Sequence, residues 1–141
     1  MISAIPLVPG AAIGSVFVLS EPLSFWGGFD ASSGEIIDRS HPQAGQSLAG
    51  HVLLMAAGRG SSSGSSVLAE AIRRGTAPCA IVLLTRDPIV TVGAIVAAEL
   101  YASSCPVVLA DESDWASLTA ASRLMINAEG EAASLMVNPS T

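Results

Sequence analysis

The chain has 141 residues with 12 acidic side chains, six arginines and no lysine, a net charge of −6 at pH 7. No basic face can be assembled from so few cations, which excludes nucleic-acid binding and attraction to an anionic membrane surface. Half of the residues are hydrophobic, 13% are charged and the mean hydropathy is +0.57, yet Pro, Gly or a charge breaks every apolar run short of the roughly 20 residues a spanning helix needs.

The length suits one domain over residues 1–141. Met1 to Ser20 carries no charge, but it lacks a basic start, and Pro6, Pro9, Gly10 and Gly14 interrupt it, so it reads as mature sequence rather than a leader. Within it, the alternating β-branched stretch Gly14 to Ser20 predicts a strand. Glu21 to Gly50 is rich in Gly, Pro, Ser and Asp and too long for a plain connection. Phe25, Trp26 and Phe29 argue against disorder there.

A regular rhythm follows. His51 to Ala56 predicts a buried strand, Gly58 to Ser66 a Gly/Ser loop, and Ser66 to Arg74 a helix with Val67, Leu68, Ala71 and Ile72 on one face. Arg73 and Arg74 in the last turn and Gly75 just beyond mark the helix end. Cys79 to Thr85 is an uninterrupted apolar run of the kind buried on both sides in a parallel sheet. Pro88 to Tyr101 predicts a second helix, capped by Asp87, with Ile95, Val96, Leu100 and nearby alanines turned inward and Glu99 toward solvent. Pro106 to Ala110 predicts another buried strand, and alternation of strands with helices over so few residues implies right-handed crossovers onto a parallel sheet. A short helix near Asp114 to Ala121 and a hairpin, Leu124 to Asn127 with Ala133 to Asn138, complete the chain.

Two cysteines, Cys79 and Cys105, are too few for a disulfide scaffold and lack ligand spacing, so both are read as reduced residues of a cytoplasmic protein. His41 and His51 lie far from any cluster spacing and are assigned structural roles. No metal site is expected in this chain.

The loop Gly58-Arg59-Gly60-Ser61-Ser62-Ser63-Gly64-Ser65-Ser66 is the stretch that suggests chemistry. At a helix N-terminus, outward N–H groups and the helix dipole favour an anion, glycines allow close approach, serine hydroxyls donate to carboxylate oxygens, and Arg59 adds a cation. A field that stabilises an anion also stabilises a serine alkoxide acting as a base. A phosphate-binding P-loop is excluded because its lysine is missing, and the dinucleotide spacing fails because Ser63 stands where the third glycine belongs. The residues leave open a carboxylate site and a plain flexible linker.

Leu23-Ser24-Phe25-Trp26-Gly27-Gly28-Phe29-Asp30, Gly34-Glu35-Ile36-Ile37-Asp38, His41-Pro42, Gly45-Gln46-Ser47-Leu48-Ala49-Gly50, the Gly58 to Ser66 loop and Gly75-Thr76-Ala77-Pro78 together resemble the small subunit, or swivel domain, of the aconitase X family. The resemblance implies an α/β fold: a swivelling three-layer β/β/α domain like the small domain of aconitase, with a partly parallel buried sheet. It implies a hydro-lyase subunit that works only with a large catalytic subunit, which would carry the iron–sulfur cluster. The bacterial branch contains cis-3-hydroxy-L-proline dehydratases and the archaeal branch phosphomevalonate dehydratases; Ser61-Ser62-Ser63-Gly64 and Trp26 look closer to the bacterial branch. Carried over by position, the resemblance implies Ser61 as the catalytic base, with Arg59, Gly60, Ser62 and Ser63 on the substrate carboxylate; for Gly27, Gly28 and Asp30 a place at the border of the site and a plain turn role both stay open. The chain departs from aconitase after two serines, where Ser63-Gly64 replaces Arg-Glu. A non-catalytic module for a small anion or carboxylate is the alternative of another class.

Thr91-Val92-Gly93 and the helix around it are similar to the phosphohistidine domain of phosphoenolpyruvate-utilising enzymes, which shares the swivelling fold. That family carries Thr-Ser-His here, so the absent histidine excludes phosphoryl relay.

Overall fold

A computed structural model describes residues 1–140. Seven strands close into a barrel in the order β1-β5-β4-β3-β2-β6-β7, with β7 returning to β1. β1 (Ile2–Val8) and β2 (Ala11–Val18) open the chain, and β3 (Val52–Met55), β4 (Ala80–Leu83) and β5 (Val107–Leu109) follow after the long connection. β2, β3, β4 and β5 run parallel, while β6 (Arg123–Asn127) and β7 (Ala133–Val137) pair antiparallel with their neighbours.

β3 and β4 read as unbroken apolar runs because each face meets a different core. Leu53, Met55, Ile81 and Leu83 face the helices, and Val52, Leu54, Val82 and Val108 point into the barrel. This gives the three layers, helices over sheet over sheet, expected from the sequence.

Two helices cover the parallel face. α2 (Gly64–Arg74) ends on Gly75 at φ +79°, with the N–H groups of Gly75 and Thr76 closing on Ile72 and Ala71 carbonyls. α3 (Pro88–Tyr101) starts from Asp87, whose carboxylate accepts from the Ile89 and Val90 N–H groups. Its inward face differs from the expected one. Val90, Gly93, Ala94 and Ala97 are buried, whereas Ile95 is 43% and Leu100 69% exposed. The reason is steric: a Cβ on Gly93 would stand 2.9 Å from the Ser65 carbonyl oxygen and 3.1 Å from Leu68 Cβ, so only small residues fit between the helices. Glu99 is exposed, as expected.

The connection from Glu21 to Gly50 is ordered. Phe25–Gly28 forms one irregular turn, α1, with Gly27 at φ +83°. Phe25 and Phe29 stack edge to face at 5.1 Å and are buried in this chain's own core; only Trp26 of the three aromatics stands out, 59% exposed. His41 is 5% exposed; its Nε2 donates to the Glu21 carbonyl and its Nδ1 accepts from the Gln43 N–H, which pins the connection. His51 bonds the Ser15 carbonyl through Nδ1 and packs on Phe17. A 3₁₀ turn (Glu112–Asp114) leads into α4 (Trp115–Ala120), whose Leu118 is buried with the barrel core. Among the described residues no helix is long and apolar enough to cross a membrane.

Candidate functional site

Loop 58–63 leaves the carboxyl end of β3 and enters the first turn of α2. Ser61 Oγ accepts the Ser63 N–H at 3.1 Å, and the Ser61 carbonyl accepts the Gly64 N–H at 2.9 Å. Ser61 thus closes the turn that leads into α2, whose own N-cap, Ser63, makes no side-chain cap bond; periodicity alone starts the helix two residues later than it begins. The N–H groups of Arg59, Gly60, Ser61 and Ser62 meet no acceptor among the described residues. These outward donors, together with the exposed hydroxyls of Ser62 and Ser63, face solvent at the positive end of α2.

Three separate segments hold the loop. Arg59 pairs with Asp38 at 3.4 Å. Asp38 also accepts from the Ser40 hydroxyl and N–H; those bonds, and then the arginine's charge, hold its carboxyl below the usual range. At Gly60, φ is +109° and an added Cβ would overlap Ser24, standing 2.7 Å from Ser24 Cβ, so this position needs glycine on both counts. At Gly58, an added Cβ would overlap the carboxylate of Asp87, 2.8 Å from its Cγ. Ser65 Oγ then donates to the Ile89 carbonyl at 2.7 Å, joining the first turns of α2 and α3.

The structure therefore brings Arg59, Gly60, Ser61, Ser62 and Ser63 together on one edge. Gly28 is nearby, since its carbonyl accepts from the Ile37 and Asp38 N–H groups and its turn lies against Gly64. Gly27 is exposed beside Trp26, with no atom within 4 Å of an added Cβ. Asp30 lies elsewhere. It anchors a turn through Ser32, and the neighbouring Ala31 carbonyl accepts the Thr76 hydroxyl beyond the far end of α2. Ser24, Asp38, Ser65 and Asp87 join the site only through the fold; the sequence shows Asp87 as a helix cap, and nothing in it ties residue 87 to residue 58.

The site is open. A cleft of about 80 Å³ lined by Leu19, Glu21, Pro22, Met55 and Ala57 adjoins the loop. A wider cleft, about 480 Å³, lies along β2, β6 and β7 among Ile13, Met125 and Met136, lined by none of these polar groups. Among the described residues no group of three His, Cys, Asp or Glu is placed to hold a metal. Cys105 is buried, and its thiol is pushed up to about 12; burial also raises that of Cys79. Neither fits an iron–sulfur cluster ligand.

A barrel with two helices on its parallel face and a Gly/Ser loop at the strand ends defines the class, a swivelling β/β/α domain. The family described as Aconitase X swivel domain matches residues 1–135, and the chain belongs to it. It is 50% identical over 101 residues to a cis-3-hydroxy-L-proline dehydratase of Pseudomonas aeruginosa, 72% of this chain but only 17% of that one. It is 47% identical over 88 residues to the phosphomevalonate dehydratase small subunit of Methanothermobacter thermautotrophicus, 62% of this chain and 67% of that subunit. The crystal structure of Thermococcus kodakaraensis aconitase X in its holo-form superposes with a TM-score of 0.75 at 29% identity, covering 95% of this chain and 98% of that chain. The chain thus spans about a fifth or less of the length of the first hydroxyproline dehydratases it matches.

Proposed function

We propose that this chain is the swivel unit of a cytoplasmic hydro-lyase that dehydrates cis-3-hydroxy-L-proline, with Ser61 taking the C2 proton. The observation that carries this reading is the seat of Ser61: its oxygen takes an N–H bond from Ser63 at the N-terminus of α2, and both the bond and the dipole favour its alkoxide over the alcohol. Arg59, the free N–H groups of the loop and the hydroxyls of Ser62 and Ser63 hold the substrate carboxylate and orient C2 toward Ser61. As Ser61 takes the proton, the C2–H electron pair forms the C2–C3 double bond and the 3-hydroxyl leaves with its C3–O pair, becoming water by taking up one proton from the facing surface; the resulting enamine tautomerises to 1-pyrroline-2-carboxylate, and Ser61 returns its proton to solvent.

The open edge calls for a second surface to exclude water and assist hydroxyl departure. That surface is assigned to a large catalytic unit, which also carries the iron–sulfur cluster, since the residues here do not fit one. The hydroxyproline substrate is favoured over a phosphorylated one because Arg59 already shares its charge with Asp38, leaving less for a dianionic phosphate. The identity to a phosphomevalonate dehydratase small subunit over two thirds of that subunit supports the second substrate, so both are assayed on the reconstituted complex.

Ser61→Ala is expected to assemble with its partner and lose on the order of 10²–10⁴-fold in turnover, the usual share of a general base. Near-normal turnover would remove Ser61 from that role. Tight calorimetric binding of a hydroxy acid to the chain alone would favour a stand-alone binding module instead.

A further inference from the structure

Asp87 is one of two polar side chains among the described residues that are buried, at 7% exposure, and the proposed reaction does not use it. Its Oδ1 is occupied by the Ile89 and Val90 N–H groups of α3. Its Oδ2 is turned to Gly58, so close that no Cβ fits between them. We propose that Asp87 is a positioning residue for Ser61: anchored by α3, its carboxylate is the floor on which Gly58 seats, and this sets the height at which loop 58–63 presents the serine.

The geometry supports a role in the loop beyond helix capping. A cap needs only the oxygen that meets the N–H groups, and serine or asparagine supplies that as well as aspartate. The second oxygen makes the contact that leaves room only for glycine at residue 58. On the other side Ser24 presses against Gly60 in the same way, so the two glycines before Ser61 are gripped between two segments. The Ser65 hydroxyl bond to the Ile89 carbonyl keeps α2 in step with α3. A shift of Asp87 is thereby passed to both ends of the turn that holds Ser61.

This inference rests on the reading of Ser61 as base, but its first readout does not. Asp87→Ser keeps a cap for α3 and removes the carboxylate from beneath Gly58; Asp87→Asn keeps both cap and shape. In the full chain, the Ser63 amide, which donates to Ser61 Oγ, is expected to exchange about tenfold faster in Asp87→Ser, the equivalent of roughly 1.4 kcal/mol of local opening. Asp87→Asn should match wild type. Gly58→Ala should disturb that amide in the wild-type background and much less in Asp87→Ser, where the clash is gone. With the partner present, Asp87→Ser should lower kcat on the order of 10²-fold at little change in KM, because a displacement near 1 Å suffices for that, and Asp87→Asn should restore it. Unchanged Ser63 exchange in Asp87→Ser, or additive effects of Gly58→Ala and Asp87→Ser, would overturn the proposal. If the amide responds as expected while the complex dehydrates neither substrate, the positioning role stands and the functional reading falls.

Discussion

Gly93→Ala separates two opposing effects at the α2–α3 contact. Alanine in place of glycine within a helix normally stabilises by about 1 kcal/mol. Here the new Cβ would stand 2.9 Å from the Ser65 carbonyl oxygen, 3.1 Å from Leu68 Cβ and 3.2 Å from Leu68 Cδ2. The last is a side-chain tip that can swing away, but the first two are fixed by α2, so the helices must part by several tenths of an ångström. Overpacking of this kind costs about 1–3 kcal/mol, so the clash wins and the net loss is about 1 kcal/mol. For a chain of this size that lowers Tm by roughly 3–5 °C and, at an m-value of about 2 kcal/mol per molar, moves the urea midpoint by about 0.5 M. Thermal and urea unfolding followed by far-ultraviolet circular dichroism reads both. A variant as stable as wild type, or more so, would refute the argument that small residues are selected by helix contact.

Ser61→Ala also removes the acceptor of the Ser63 N–H in the turn entering α2, and a stability loss of about 1 kcal/mol should accompany the fall in turnover; an unchanged urea midpoint would contradict that hydrogen bond. Cys105, buried, with its thiol donating to the Pro78 carbonyl and raised to about 12, should resist a disulfide reagent at pH 8 until the chain unfolds, while Cys79, half-buried and also raised, reacts slowly; rapid loss of both thiols would refute the burial of Cys105. Asp30, Asp38 and Asp111 each accept from a serine two residues on, and those bonds hold their carboxyls below the usual 3.8. A lowered folded value stabilises above the unfolded one and is lost on acidification, so the urea midpoint should fall as pH drops through about 4 and below. Replacing all three by asparagine should flatten that acid limb, and an unaltered limb would count against the serine bonds.

The parallel strands were legible because Val52 to Met55 and Ala80 to Leu83 are buried on both faces, which leaves a run with no polar interruption. The end of α2 was legible because a left-handed residue at 75 calls for glycine. α3 was placed correctly over Pro88–Tyr101, yet its orientation was not, because a helix apolar nearly all round has no period to read. There the contact is chosen by what is small: Gly93, Ala94 and Ala97 go in, and Ile95 and Leu100 go out. β1 was missed since Pro6 interrupts its alternation; in the barrel Pro6 falls at the irregular step of the β1–β5 pairing. Of the candidate site, the Ser-rich loop was visible as a motif, but its clamps were not. Ser24, Asp38 and Asp87 reach it only through the fold: Asp38 by its pair with Arg59, Ser24 and Asp87 by contacts to Gly60 and Gly58 that leave no trace in residue type beyond the glycine itself.

The barrel closes by pairing its first strand with its last, Ile2 against Leu135 and Ala4 against Ala133. Polypeptide entering β1 and polypeptide leaving β7 therefore meet the domain at one seam. A tether thus joins the domain at the same seam whichever end it is attached to. Such an architecture lets the same unit serve as a separate chain or as a segment of a longer one without refolding its reactive edge.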